Sequence, residues 1–249
     1  MRQLFTFLTL TVLFSSCSKD DDNKNPGGGS GGGCPTTVTD IDGNVYNVVT
    51  IGSQCWMKEN LKTTKYKNGD TIPSGLNNTQ WQNTTAGAWA YYSDSSQYNN
   101  IYGKLYNWYA VADARGLCPT GWHVPTDIEW NQLVKYLDPQ ADTSCLTCSQ
   151  SPIAGGFMKA VGDLQSGTGL WQSPNTGASD SSGFSGLPGG ARDDSGVYSN
   201  SWGYNGIWWS SSAFDFNYAW AWGLTTFGSY VNRGNSSHES GFSVRCVKD

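Results

Sequence analysis

Two stretches of this chain repeat apolar residues with the period of a helix. In residues 103–114, GKLYNWYAVADA, Leu105, Trp108, Tyr109 and Ala112 fall at i, i+3, i+4 and i+7. That spacing predicts a helix with one apolar face, and Gly116 follows where a C-cap glycine would stand. Further on, Trp130, Leu133, Val134 and Leu137 repeat in the same way. Thr126 and Glu129 have the spacing of a capping box ahead of that stripe, and Pro139 stops it. A short helix is also expected from Gly156 to Val161.

Elsewhere the pattern shortens to the period of a strand. Val45, Val49 and Ile51 follow an Asp42-Gly43 turn, and Gln54 to Met57 form a second strand after Gly52-Ser53. Residues 74–100 read as an aromatic-studded loop. The last third predicts strands in FSGLPGGARD, GIWWSSS, YAWAWGLTT, SYVNR and GFSVRCVKD, each bounded by turn residues. Tyr218, Trp220 and Trp222 alternate with Ala219 and Ala221, so one face carries large side chains and the other small ones. Phe242, Val244 and Cys246 share a face of the final strand.

The N-terminus has a different pattern. Arg2 is followed by an apolar run from Leu4 to Phe14, broken only by threonines. Its length suits a signal peptide over residues 1–16 and is too short for a mature transmembrane helix. Ser15, Ser16 and Cys17 then resemble the bacterial lipobox in the looser form found in Bacteroidota, which implies a lipid on Cys17. SKDDDN follows, and NPGGGSGGG completes an acidic, glycine-rich tether over residues 17–33. The acidic run resembles the signal that sends such lipoproteins to the outer face of the outer membrane. A single domain is expected over residues 34–249, long enough for one substantial core.

Charge then narrows the partners. Charged residues make up 14% of the chain, and the formal net charge of -5 becomes more negative once Arg2 is cleaved away. An acidic chain with few lysines and arginines is a poor nucleic-acid ligand. Beyond Cys17 the cysteines are Cys34, Cys55, Cys118, Cys145, Cys148 and Cys246. An even set in an exported chain points to disulfides, with several pairings open. A Cys34–Cys55 bridge would tie the domain's start to its first hairpin. The Cys145–Cys148 motif has no second ligand pair for zinc and no βαβ setting, so a local loop disulfide is expected.

DGNVYNVVTIGSQCWMKENL, YGKLYNWYAV, CPTGWHVPTDIEW, DSSGFSGLPGGAR, GIWWSSS and GFSVRCVKD resemble, in order, the motifs of the Fibrobacter succinogenes major paralogous domain, found in lipoproteins of Bacteroidota and Fibrobacterota. HVPTDIEW and GFSVRCV are more distantly similar to segments of formylglycine-generating-enzyme-like domains, whose fold is related to the C-type lectin-like fold. This implies an α+β architecture: a twisted antiparallel sheet, two main helices and long irregular loops. The lectin-like relation also implies a Cys118–Cys246 disulfide. Such a bond would consume the thiol that His123 might otherwise activate, and no orienting carboxylate for His123 is evident in the sequence. The copper-binding cysteine pair of formylglycine-generating enzymes has no counterpart, since no cysteine lies between Cys148 and Cys246.

No catalytic motif stands out, so catalytic and metal residues are expected to be none. Calcium is the one cofactor left open: Asp180, Asp193, Asp194 and Asn200 sit in turns, but without EF-hand or lectin calcium spacing. His238 is expected to face water. Aromatic residues reach 14% of the chain, and their faces beside Asn, Asp and Ser suit sugar rings. Trp202, Tyr204, Trp208 and Trp209, with Asp193 and Asp194, are the candidate ligand contacts; the competing reading for any one of the aromatics, and the favoured one, is core, since a loop-rich fold fills its interior with Trp and Tyr, and Trp202 and Tyr204 are the best placed for exposure. The expected function is a non-catalytic, surface-anchored module that binds an extracellular glycan, polymer or host protein. The alternatives are a formylglycine-generating-enzyme-like enzyme and a structural or adhesive envelope component without a small ligand.

Overall fold

The computed structural model describes residues 33–146, 148–199 and 201–249. The leader, Cys17 and the tether up to Gly32 lie outside the described residues, as does Asn200. The strands are β1 (Thr37–Thr39), β2 (Val45–Ile51), β3 (Gln54–Met57), β4 (Trp89–Ala90), β5 (Leu105–Tyr106), β6 (Trp122–His123), β7 (Cys148–Ser151), β8 (Asn205–Ala213), β9 (Tyr218–Thr225), β10 (Val231–Ser237) and β11 (Val247–Lys248). The helices are α1 (Asn78–Asn83), α2 (Asn99–Tyr102), α3 (Trp108–Val111), α4 (Asp127–Leu137) and α5 (Ala154–Met158). One sheet runs β1-β2-β3-β11-β6, a second β7-β10-β9-β8, and β4 pairs with β5. The pairings between these strands are antiparallel. The protein is therefore an α+β fold with antiparallel sheets and few helices.

The long helix α4 starts where the pattern placed it. The Thr126 hydroxyl accepts from the Glu129 amide, and the Glu129 carboxylate accepts from the Thr126 amide at 2.7 Å. Its buried stripe, Trp130, Leu133 and Val134, packs on the second sheet. Trp130 stacks on Trp222, with ring centroids 5.8 Å apart and planes 14° from parallel. At its first turn, Asp127 receives Arg233 on both oxygens, at 2.9 and 2.5 Å, and the Trp222 indole N–H at 3.2 Å. This ion pair is buried on both sides.

The period-2 strands divide two cores. Trp208 and Trp222 point into one, with Trp56, Trp130 and Phe184. Trp209, Ala219 and Ala221 point into the other, with Tyr46, Tyr106 and Phe242. The small face of β9 is thus as buried as its large one, because a second layer covers it. The closing segment behaves likewise: Phe242, Val244 and Cys246 enter one core and Val247 the other. Only Val247–Lys248 of that segment forms a regular strand; the rest is bridged singly to Tyr106, Arg192 and Trp208. FSGLPGGARD likewise contributes isolated bridges rather than a strand, and SYVNR supplies the start of the longer β10.

Three helical expectations change. Leu105 and Tyr106 belong to a strand opposite Ala90 and Trp89. The helix expected over 103–114 shrinks to the single turn α3, capped by the Asn107 side chain, which accepts from the Ala110 amide. Long-range pairing outweighed a periodicity that was real but short. Residues 74–100 contain α1 and the start of α2, and α1 has its own capping box between Asn77 and Gln80. Finally, α5 begins before Gly156 and ends at Met158. A Cβ on Gly155 would stand 2.2 Å from the Tyr230 carbonyl oxygen, so glycine permits that close crossing.

Long irregular segments leave backbone carbonyls without ladder partners, and buried cations serve them. The Lys159 ammonium, fully buried, donates to the carbonyls of Thr176, Thr225 and Gly228 at 2.8 to 2.9 Å. Burial pulls its pKa down to about 8. Arg245, also fully buried, donates to the carbonyls of Phe184 and Ser185 and to the Asn60 side chain. Burial lowers its pKa to about 9. Disulfides join Cys34 to Cys55, Cys118 to Cys246, and Cys145 to Cys148.

Candidate functional site

A cleft of about 470 Å³ opens between the Ser74–Asn77 loop and the segment Trp89–Asp94. That size falls within the range of small-ligand sites. Local hydrogen bonding holds both walls. The Trp89 amide donates to the Pro73 carbonyl at 3.0 Å, fixing the root of the cleft. On one side, the Asn77 side-chain oxygen caps α1, leaving its amide NH2 as a donor at the wall. On the other, Ser93 and Asp94 both have positive φ, 52° and 51°. Two consecutive non-glycine residues in that region store backbone strain, which concentrates at functional sites.

Trp89 and Tyr91 form the aromatic side of the cleft. Their rings meet edge to face, with centroids 5.0 Å apart. Lys104 lies against both, its ammonium 4.8 Å from the Trp89 centroid and 5.3 Å from that of Tyr91. It donates to the Lys62 carbonyl and, at 2.9 Å, to the Asn99 side chain. Burial lowers its pKa to about 8, so it stays charged at neutral pH. Asp94 supplies the carboxylate. One of its oxygens accepts from the Tyr198 hydroxyl at 2.5 Å, and burial raises the Tyr198 pKa further from neutrality. Arg192 lies over the Tyr198 and Trp81 rings and donates to the Leu76 carbonyl, bracing the opposite wall. The cleft offers two aromatic rings, one carboxylate and an amide donor, which is equipment for binding.

His123 is the hydrogen-bonded strand-end residue that its place between Trp122 and Val124 suggests, but carboxylates not evident in the sequence stand beside it. His123 is flanked by carboxylates: Nδ1 lies 2.6 Å from Asp249 and Nε2 2.8 Å from Glu129. The hydrogen bond with Glu129 is the largest cause of its raised pKa, about 9, and Asp249 adds to it. Its neighbours were invisible because one is a helix-capping residue and the other lies 126 positions away. An imidazolium donating from both nitrogens has no lone pair with which to act as a base. His238 is buried rather than solvated, and stacks on Trp108 at 4.2 Å.

A model of the Fibrobacter succinogenes major domain matches residues 49–248. The chain belongs to that family. Comparison with curated proteins and with solved structures found no match.

In this member of the Fibrobacter succinogenes major domain family, the residues singled out from sequence do not converge. Trp208 and Trp209 are 1% and 0% exposed, each in a separate core, and present no surface. Their buried N–H groups donate to Asn60 and to the Tyr106 carbonyl. Trp202 is half-buried against Tyr98 and Tyr102. Tyr204 is exposed and stacks on Phe227. Asp193 accepts from Ser195 and Val197, and Asp180 from Ser185, within their own turns. Asp194 is exposed beside Gln82, Ser237 and Glu239. Among the described residues, no three His, Cys, Asp or Glu side chains gather as metal ligands would. The cleft residues Trp89, Tyr91 and Asp94 lie in WAYYSD, inside the stretch read as an aromatic loop. The usable signal there was the Asn77–Gln80 capping spacing followed by an aromatic run ending in aspartate.

Proposed function

We propose that this protein is an exported, non-catalytic binding module of lectin-like fold, held at the cell surface by a lipid on Cys17, and that its ligand is an extracellular carbohydrate. The observation that carries the ligand class is the fixed Trp89–Tyr91 ring pair beside Asp94 and Asn77. An aromatic ring packs on the apolar C–H face of a sugar while carboxylate and amide meet its hydroxyls. Support for the fold comes from the α+β sheets and from the Cys118–Cys246 bond, the pairing that a lectin-like relation implies. Three disulfides suit an oxidising compartment. The Cys118 sulfur, consumed in a bond and 3% exposed, is not available as a nucleophile, which weighs against an enzyme of the modifying-factor type.

A glycan array probed with the purified protein tests the ligand class. Binding to a defined set of sugars, lost in Tyr91→Ala, is the expected result; silence across cell-wall, plant and mucin glycans sinks it. Anchoring is tested separately by palmitate labelling, lost in Cys17→Ala, and by protease shaving of whole cells. An adhesive reading draws on the β8–β9 turn, where Phe216 is 91% exposed between the exposed Phe214 and Tyr218. Loss of cell or protein adhesion in Phe216→Ser, with sugar binding intact, would favour that reading.

A further inference from the structure

Cover over the small face of β9 thins along the strand: Ala219 and Ala221 are buried, and Gly223 is half-buried. A trough of about 340 Å³ lies open there, across β8, β9 and β10 and away from the Trp89–Tyr91 cleft. Its shape follows from the strand register. Gly223 stands between Ile207 of β8 and Asn232 of β10, and Gly234 pairs with Ala221 in the next row. Neighbouring strands lie about 4.8 Å apart, so Ile207 and Asn232 stand roughly 10 Å from each other with only glycine between them. Phe242, stacked on Trp209 at 4.5 Å, adds to the apolar lining, and Asn205 and Ser236 add to the polar lining.

The free protein has no use for these two glycines. Neither has a positive φ. A Cβ on Gly234 would meet no atom within 4 Å, and one on Gly223 none closer than 3.9 Å. Glycine in a strand interior weakens the strand, and its use there is to let a ligand or another backbone come close. Among the described residues no other backbone of this chain fills that space. The polar side chains are also unspent: Asn205, Asn232 and Ser236 line the trough and make no side-chain hydrogen bond among the described residues. The side chains facing the trough are uncharged, because Arg233 turns to the opposite face, where Asp127 holds it. A neutral ligand is favoured, with an amide on one side and an apolar group on the other. A peptide strand is disfavoured, since the Asn205 and Ile207 carbonyls on the β8 edge already accept from the amides of Gly190 and Ser243.

We infer that the trough is a second subsite that takes one N-acetylhexosamine ring, with the acetamido N–H and C=O on Asn232, the methyl against Ile207 and Phe242, and the ring lying on Gly223 and Gly234. The sugar class rests on the carbohydrate reading above; the acetamido group rests on the trough alone. The size, at the lower end of the small-ligand range, suits a single ring.

The test is an NMR titration of the whole protein with N-acetylglucosamine and N-acetylgalactosamine, against glucose and galactose. The expected result is that at least one acetamido sugar binds tenfold or more tighter than its unacetylated parent and shifts the Asn232 side-chain amide. Gly234→Val fills the trough at a position where backbone and neighbours tolerate a side chain. It should melt no lower than the parent and lose acetamido binding at least tenfold. Asn232→Ala, at an exposed position, should lose it to a similar extent. Tyr91→Ala should leave it within twofold, which separates the trough from the cleft. Equal affinity for acetylated and unacetylated sugars, or acetamido binding unchanged in Gly234→Val, overturns the inference and leaves the cleft reading standing. Shifts at Asn232 with a neutral peptide and with no sugar overturn it in favour of a peptide site. No sugar binding at either place removes both readings.

Discussion

The Nε2 atom of His123 lies 2.8 Å from Oε1 of Glu129, the residue that also closes the capping box of α4. One carboxylate thus serves a helix start and an imidazolium, and His123 in turn ties α4 to Asp249 near the closing strand. The folded pKa of His123, about 9, is above its ordinary value of 6.5. Its contribution to stability is therefore complete below pH 6.5 and is lost as pH rises towards 9. The shift alone would amount to roughly 3 kcal/mol. With 37% of the side chain exposed, solvent screening reduces that to about 1 kcal/mol. Melting temperature should fall between pH 6.5 and 8, and the slope should flatten in His123→Gln.

Above pH 8 a term of opposite sign enters. Burial holds Lys159 and Lys104 at about 8, below the ordinary 10.5. Between those values the unfolded chain binds more protons, so these groups make stability rise with pH. The expected profile is a fall from 6.5 to 8 followed by a shallower or reversed slope. A fall from pH 8 to 10 as steep as that below pH 8, measured by denaturant unfolding, would contradict the buried, lysine-to-carbonyl arrangement.

The disulfides should differ in worth by the loops they close. Cys118–Cys246 spans 128 residues and Cys34–Cys55 spans 21. Chain entropy assigns about 5 kcal/mol to the first and about 3 kcal/mol to the second. Replacing both members of each pair by serine should lower stability in that order. Peptide mapping without reductant should recover 118 joined to 246 in the parent protein.

How far the sequence carried depends on the range of the interaction. The α4 start was legible because a capping box is local: four consecutive residues state it. The alternation in β9 was legible for the same reason, yet burial of both its faces was not, since the layer over Ala219 and Ala221 comes from elsewhere in the chain. Leu105 shows the limit most plainly. Its helical spacing was genuine, but pairing with Ala90 prevailed. The candidate site was hidden by the same cause. Trp89, Lys104 and Asp94 come together only through a strand pair and a strained turn, and neither leaves a mark in composition. Trp208 and Trp209 stood out in the sequence because large cores in loop-rich folds also use tryptophan.

The Asp127–Arg233 pair predicts an asymmetric response. Both partners are buried, and the pair joins the α4 start to β10. Arg233→Met leaves a buried carboxylate with only the Trp222 N–H and neighbouring donors, and should cost about 3–5 kcal/mol. The double variant Asp127→Asn with Arg233→Met removes both charges and should recover part of that loss. Urea unfolding of the three variants forms the cycle; additive losses would argue against a direct ionic coupling.

Tyr91 and Trp89 should separate binding from folding. Tyr91 is half-buried at the cleft, while Trp89 is 8% exposed and packs into the first core. Tyr91→Ala should reduce sugar affinity tenfold or more, about 1.4 kcal/mol, with little change in melting temperature. Trp89→Ala should lose both, since truncating a buried tryptophan costs about 3–5 kcal/mol. Trp89→Phe is the informative third variant, because it keeps an apolar ring against Lys104 while removing an indole N–H that has no partner among the described residues. If that N–H contributes nothing in the free protein, Trp89→Phe should fold nearly as stably as the parent, and calorimetric titration then reads the ring's share of ligand binding alone. Wild-type affinity in Tyr91→Ala would move the binding surface away from this cleft, to the exposed Tyr204–Phe227 pair or the Phe216 turn.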